Sequence, residues 1–327
     1  MMKQWIFAAL SLPLFATPTF AVDWPSGAFS PNAFFNRING TQQDVCLLYG
    51  NKSSTWTELG DQVKAGAFDR SKCKSFVFSM RIFPTDQENP HAKGCSAWKS
   101  VAEGKYNSYY KNVGKKIAAL GIPLSQITMR VGWEINADYP ERPWFIGACN
   151  SATPGSANSA EHVRQGYRNI ILSLRSQTPN IKTSWNWLKN ASRAGLPISH
   201  FYPGSDVISI ISVDYYDIGL ADYKNIAAFN KITYEKGTIA SPLGLKSWMD
   251  YAISLGKKVA VEEWGIFAGG SGGSGDNPAY IQGMFEFFRM AHGKNALAHE
   301  IYFNNSDYSV LGTSSHPQAT KEYDLRY

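Results

Sequence analysis

Two glutamates, Glu134 and Glu263, stand in matching contexts. Glu134 follows Ile127-Thr-Met-Arg-Val-Gly-Trp133 and precedes Ile135-Asn136; Glu263 follows Lys258-Val-Ala-Val-Glu262 and precedes Trp264-Gly265. Both stretches are rich in β-branched and aromatic residues, which predicts strands. A carboxyl group at each of two strand ends suits acetal cleavage. One acid protonates the leaving oxygen, and one carboxylate captures or stabilises the oxocarbenium-like carbon. A single glutamate in such a place more often ends in solvent or in a salt bridge; two in the same setting point to chemistry. Strict alternation puts Arg130, Gly132 and Glu134 on one face, and Val259, Val261 and Glu263 on one face. It turns Glu262 the other way, towards a helix, where it would need a cationic partner.

The elements around these residues repeat. Strand-like segments cover residues 44–49, 75–82, 127–133, 182–187, 207–215, 258–263 and 298–303, and an eighth lies near 27–29, ahead of a helical turn at 32–37. Helical patterns cover 57–67, 106–120, 160–177, 243–255 and 278–292, with Gly121, Gly256 and Gly293 placed as C-terminal caps. Alternating strands and helices imply a parallel sheet, and this count fits a single-domain α/β (β/α)8 TIM barrel over residues 22–327. An open doubly wound sheet is the rival, but no glycine-rich phosphate fingerprint follows the first strand. In a barrel the fourth and seventh strands end at Glu134 and Glu263, on the face where this fold keeps its chemistry. Residues 268–276, AGGSGGSGD, follow a strand and so form either a lid over that face or a passive linker.

Residues 1–21 read as a signal peptide. Lys3 leads a short apolar run broken by Pro13, and Thr19-Phe20-Ala21 offers small residues for cleavage before Val22. The run is too short to anchor the chain in a bilayer, so a secreted or periplasmic protein without a membrane anchor is expected. Cys46, Cys73, Cys95 and Cys149 match no zinc spacing and suit disulfides in an exported chain; proximity favours Cys46–Cys73 with Cys95–Cys149. The net charge is +6, and the basic residues are scattered, which argues against a nucleic-acid partner. The histidines lack metal-ligand spacing and no Gly-x-Ser-x-Gly elbow occurs, so neither a metal, nor another cofactor, nor a serine nucleophile is expected. Ten Trp and seventeen Tyr exceed the needs of a core and suit stacking on pyranose rings. Trp133, Trp144, Trp187 and Trp264 are candidate platforms, with core packing as the alternative for each. A monomer is expected.

The fourth-strand segment resembles glycoside hydrolase family 26 of clan A, whose best-known members are secreted β-mannanases. The family's acid/base segment reads Arg-x-x-His-Glu-Met-Asn; Arg130, Glu134 and Asn136 keep that spacing, with Ile135 for Met. Glu263-Trp264-Gly265 is similar to the family's Glu-x-Gly nucleophile segment, and Asp214-Tyr215-Tyr216-Asp217 to its Asp-Tyr element. Trp185-Asn186-Trp187 is similar to its Trp-bearing fifth strand end.

The resemblance implies a retaining hydrolase of β-linked polysaccharide with Glu134 as acid/base and Glu263 as nucleophile. From their places on the strands, Arg130 would align Glu263 or form a structural ion pair within the barrel, Asn136 would bind the neighbouring sugar hydroxyl or cap the following loop, and alternation lets only one of Tyr215 and Tyr216 face the cleft. Two departures leave the sugar open. Trp133 stands where the family has His, and Tyr302 and Phe303 occupy the eighth strand in place of a Trp. A non-catalytic carbohydrate-binding barrel and a polysaccharide lyase are the other readings.

Overall fold

The computed structural model describes residues 22–40, 42–84, 94–139, 143–218, 223, 225–267, 272–305 and 311–327. The expected signal peptide, residues 140–142 of the loop after Glu134, and residues 268–271 of the glycine-rich segment lie outside these.

Eight parallel strands form the barrel: β1 Ser26–Phe29, β2 Gln43–Tyr49, β3 Cys73–Met80, β4 Ile127–Val131, β5 Lys182–Leu188, β6 Ile210–Tyr216, β7 Lys258–Gly265 and β8 Leu297–Phe303. Each pairs with its sequence neighbour from β2 to β8, and β8 pairs with β1. Nine helices lie among the described residues: α1 Ala33–Asn39, α2 Trp56–Gly60, α3 Gly94–Ala102, α4 Asn107–Ala118, α5 Ala160–Arg175, α6 Ile226–Glu235, α7 Leu245–Ser254, α8 Pro278–Gly293 and α9 Pro317–Arg326. None is long and apolar enough to cross a membrane.

The barrel closes differently at one joint. Among the described residues no backbone ladder links β1 to β2. Instead the Gln43 side chain accepts from the Ala28 amide at 2.6 Å. Gly27 sits so close to β2 that a Cβ there would lie 1.8 Å from the Val45 carbonyl oxygen, so glycine is required.

The interior has two unlike halves. On the β1, β2, β3 and β8 side it is apolar, with Val45, Leu47, Val77 and Ile301 under Phe29, Tyr49 and Phe303. On the β4 to β7 side it is polar, with Arg130, Ser184, Asn186, Ser212, Asp214 and Glu262 all fully buried. Outside the strands, tryptophans fill the layer beneath the helices.

The helix expected over 57–67 is shorter. Thr55 and Glu58 form a capping box for α2, which stops at Gly60, and a single 3₁₀ turn follows at Ala65–Ala67. Gln62 in between is buried, with its amide bonded to Leu59 O, Arg81 O and Arg81 N. Helices α3, α6 and α9, of 9, 10 and 10 residues, lie outside the helical patterns expected from the sequence. Cys46–Cys73 joins β2 to the start of β3, and Cys95–Cys149 joins α3 to the turn before α5, the pairing that proximity favours.

Candidate active site

Glu134 reaches the C-terminal mouth by a turn and not by strand alternation. β4 ends at Val131; Gly132 and Glu134 then both adopt left-handed backbone, at φ 65° and 45°. A Cβ on Gly132 would meet Ile82 and the Tyr167 hydroxyl on the helix side, so Gly132 does not share a face with Arg130 as expected. Left-handed backbone is costly for a glutamate and persists where surrounding bonds impose it. Here the Asn186 side chain accepts from Glu134 N at 2.7 Å, and the Glu134 carbonyl accepts from Ala137 N at 2.8 Å.

Glu263 reaches the mouth through a bulge. In the β6–β7 register Val213 pairs with Val261, but Asp214 pairs with Glu263, so Glu262 is an extra residue. A bulge lets two consecutive side chains leave the same face. Both Glu262 and Glu263 therefore enter the barrel, while Val259 and Val261 join the layer beneath the helices. This corrects the expectation that Glu262 faces a helix and that the valines share the face of Glu263.

Arg130 is the hub. Its Nη1 donates to Glu263 Oε1 at 2.6 Å and to Ser79 Oγ at 3.1 Å, and its Nη2 to Asn186 Oδ1 at 2.9 Å and to Asp214. Nε lies 3.2 Å from Glu262 Oε2, an ion pair whose angle falls short of a hydrogen bond. Burial works against the guanidinium charge, but Asp214, Glu263, Tyr49 and Glu262 outweigh it and hold the proton firmly. Glu263 also accepts from the Tyr49 hydroxyl at 2.5 Å and the Tyr216 hydroxyl at 2.8 Å. Burial and the Glu263 charge push both phenols well up, so they serve as donors.

Burial raises the Asp214 carboxyl well above the usual range despite Arg130, with Glu263 adding to the rise. At Glu262 burial pushes the same way, but the bond to His299 and the charge of Arg130 prevail and hold it low. One carboxylate oxygen each from Glu134, Asp214 and Glu263 lies within 4.8 Å of the other two, all three residues being buried. Such a trio could hold a cation; the charge it calls for is already supplied to Asp214 and Glu263 by Arg130.

The other expected residues divide sharply. Tyr216 faces the site, whereas Tyr215 points outward, its hydroxyl accepting from Tyr223 and its carbonyl from Tyr280. Trp133 borders the site, packed edge-on against Tyr49 at 5.3 Å and Trp144 at 4.8 Å. Trp144 is no platform: it is fully buried and its indole donates to the Trp133 carbonyl. Trp187 packs outward among Trp185, Phe201 and Trp248, and Trp264 outward against Phe288 and Tyr302. Neither can stack on a sugar. Asn136 is spent on structure, its side chain bonded to Leu188 N, Leu188 O and Asn190 O. Arg130 is fully buried, so it acts on Glu263 and touches no substrate.

Sequence reasoning missed Tyr49, Phe29, Asn186 and Ser79. Phe29 and Phe303 stack at 4.8 Å, and Phe29 meets Tyr49 edge-on at 5.4 Å, which makes an apolar wall beside Glu263. The available signal was the aromatic residue at or near the end of β1, β2, β6 and β8. Asp217, just past β6, accepts from Phe267 N at 2.5 Å and from Ser274, tying down the described end of the glycine-rich segment.

No protein-family profile and no curated protein matches this chain. Solved structures do match in fold. A family 26 glycoside hydrolase (GH26C) from Muricauda sp. MAR_2010_75 is 16% identical over 92% of this chain and 84% of its own, with a TM-score of 0.59. A GH26 β-mannanase from Bacteroides ovatus is 12% identical over 92% and 88%, at 0.56. ZgEngA of subfamily GH5_4, solved with cellotriose, is 15% identical over 92% and 95%, at 0.54. At these identities the likeness establishes the (β/α)8 fold.

Proposed function

We propose that the chain is a retaining glycoside hydrolase, a divergent relative of family 26, that cleaves β-linked polysaccharide. The carrying observation is the approach of Glu134, in the turn just past β4, and Glu263, at the bulged end of β7, to within 4.8 Å between carboxylate oxygens. Retaining enzymes hold their two carboxyls about 5–5.5 Å apart, and inverting ones roughly 6.5–9.5 Å. Glu263 is the nucleophile: Arg130, Tyr49 and Tyr216 fix both its oxygens and favour its charge. Its attack on the anomeric carbon expels the leaving oxygen, which takes a proton from Glu134. Glu134 then accepts a proton from water as that water attacks the glycosyl-enzyme, and Glu263 departs.

The mannanase and cellotriose-bound relatives in fold support a β-glycan substrate, either mannan-like or a bacterial exopolysaccharide, cut within the chain. The signal-like composition of residues 1–21 and the two disulfides support export, since disulfides persist in oxidising compartments. The close carboxyls, and the complete burial of Trp144, Trp187 and Trp264 among the four candidate platforms, weigh against a non-catalytic binding barrel.

The test is a polysaccharide panel read by reducing-end release, with proton NMR of the first anomer formed. Retention is expected, and Glu134→Gln and Glu263→Gln should each abolish release while melting like the wild type. Inversion, near-wild-type activity in either variant, or products that absorb in the ultraviolet as unsaturated sugars do, would defeat the proposal.

A further inference from the structure

The bulge in β7 leaves one buried carboxylate that the displacement does not use. Glu262 contacts four strands: Arg130 Nε at 3.2 Å, Ser212 Oγ at 2.7 Å, Asn186 Nδ2 at 3.5 Å and His299 Nε2 at 3.2 Å. Asp214 and Glu263 are the other carboxylates on the same guanidinium, and the phenols of Tyr49 and Tyr216 meet Glu263 from β2 and β6. His299 lines a cavity of about 380 Å³ at the N-terminal mouth, which Lys182 and Lys258 also line. A run of contacts therefore crosses the barrel from Glu263 through Arg130, Glu262 and His299 to the opposite mouth.

We infer that Glu262 and His299 are positioning residues that set the charge and placement of Glu263 by acting through Arg130. This rests on Glu263 being the nucleophile. Arg130 brings one positive charge to a dry interior, and the negative charge of Glu262 draws down the net field that this cation sets at Glu263. With Nε also engaged, the guanidinium is held on three sides and its fork cannot swing away from Oε1. His299 supplies Glu262 with a second partner and so limits that draw. The two residues consequently act on Glu263 with opposite sign. Removing the Glu262 charge makes the net field at Glu263 more positive, and removing His299 makes it less so.

The experiment follows Glu263 itself. Full-length protein carries ¹³C at its glutamate carboxyls, and the Glu263 resonance is assigned by its loss in Glu263→Gln. The expected result is that Glu263 titrates about one pH unit lower in Glu262→Gln and about one unit higher in His299→Ala. Imidazole, entering by the N-terminal mouth, should return His299→Ala towards the wild type. Should His299→Ala fail to fold, His299→Met, which fills the space but donates no hydrogen bond, is expected to shift Glu263 in the same upward direction. Shifts of equal sign, no shift, or a His299→Ala shift that imidazole leaves untouched would overturn the inference. The titration needs no turnover, so a wild type that hydrolyses nothing would count against the proposed function alone.

Discussion

The Tyr49 hydroxyl donates to Glu263 Oε1 at 2.5 Å across 214 residues of sequence, and the same oxygen takes Arg130 Nη1 at 2.6 Å. A phenol and a guanidinium on one oxygen make that carboxylate both charged and fixed. Tyr49→Phe removes a hydrogen bond to a charged group, an interaction that contributes about 1.5–3 kcal/mol. If it acts in the transition state, kcat should fall roughly 10- to 100-fold. Michaelis–Menten kinetics beside a thermal melt check this; an unchanged kcat would remove Tyr49 from the site.

Arg130 has a different consequence. Arg130→Met leaves Asp214, Glu262 and Glu263 buried without their shared cation. Breaking one side of a buried pair costs about 3–5 kcal/mol, so urea unfolding at pH 7 should show a loss of at least that size. The deficit should shrink as acid protonates the carboxylates. Arg130→Lys should not repair it, because a single ammonium cannot reach three carboxylates at once.

Glu300 provides the pH dependence of stability. It is fully buried, accepts from the Trp264 indole at 2.5 Å, and burial raises its carboxyl from 4.5 to about 7. The folded state thus holds the proton more tightly than the unfolded chain. Its contribution is intact below the unfolded value and is lost as pH rises from about 4.5 to about 7, by roughly 3 kcal/mol. Glu300→Gln should therefore be more stable than the wild type at pH 8 and close to it at pH 4. Chemical denaturation at both values decides; equal stability at pH 8 would mean that Glu300 ionises freely in the fold.

Gly27→Ala should be the most damaging small substitution. The added Cβ would stand 1.8 Å from a backbone oxygen of β2, where no flexible side chain can yield. Loss of near-ultraviolet circular dichroism, or a melt lowered by many degrees, is expected; a wild-type melt would show that β1 can shift.

Most of the barrel was legible because strands and helices announce themselves by period. The two strand-end glutamates followed once the strands were counted. The bulge was not legible, since it is a mismatch of register between two strands, and alternation along β7 alone points Glu262 the wrong way. The tryptophans failed for a related reason. Trp144, Trp187 and Trp264 are equally good as core or as sugar platform until the side they face is known. Asn136 kept the motif spacing but is consumed by the ends of β5, while Asn186, one strand over, holds both Glu134 N and Arg130.

The side-chain joint between β1 and β2 bears on how the molecule opens. Seven neighbouring strand pairs are held by backbone ladders, and at the eighth the Gln43 amide stands in for one. A ring with one unlike clasp is expected to open there first. The apolar wall spans that clasp, with Phe29 on one side and Tyr49 on the other. Amide exchange in the first strand should accordingly report on the same excursions that loosen the partner of the nucleophile.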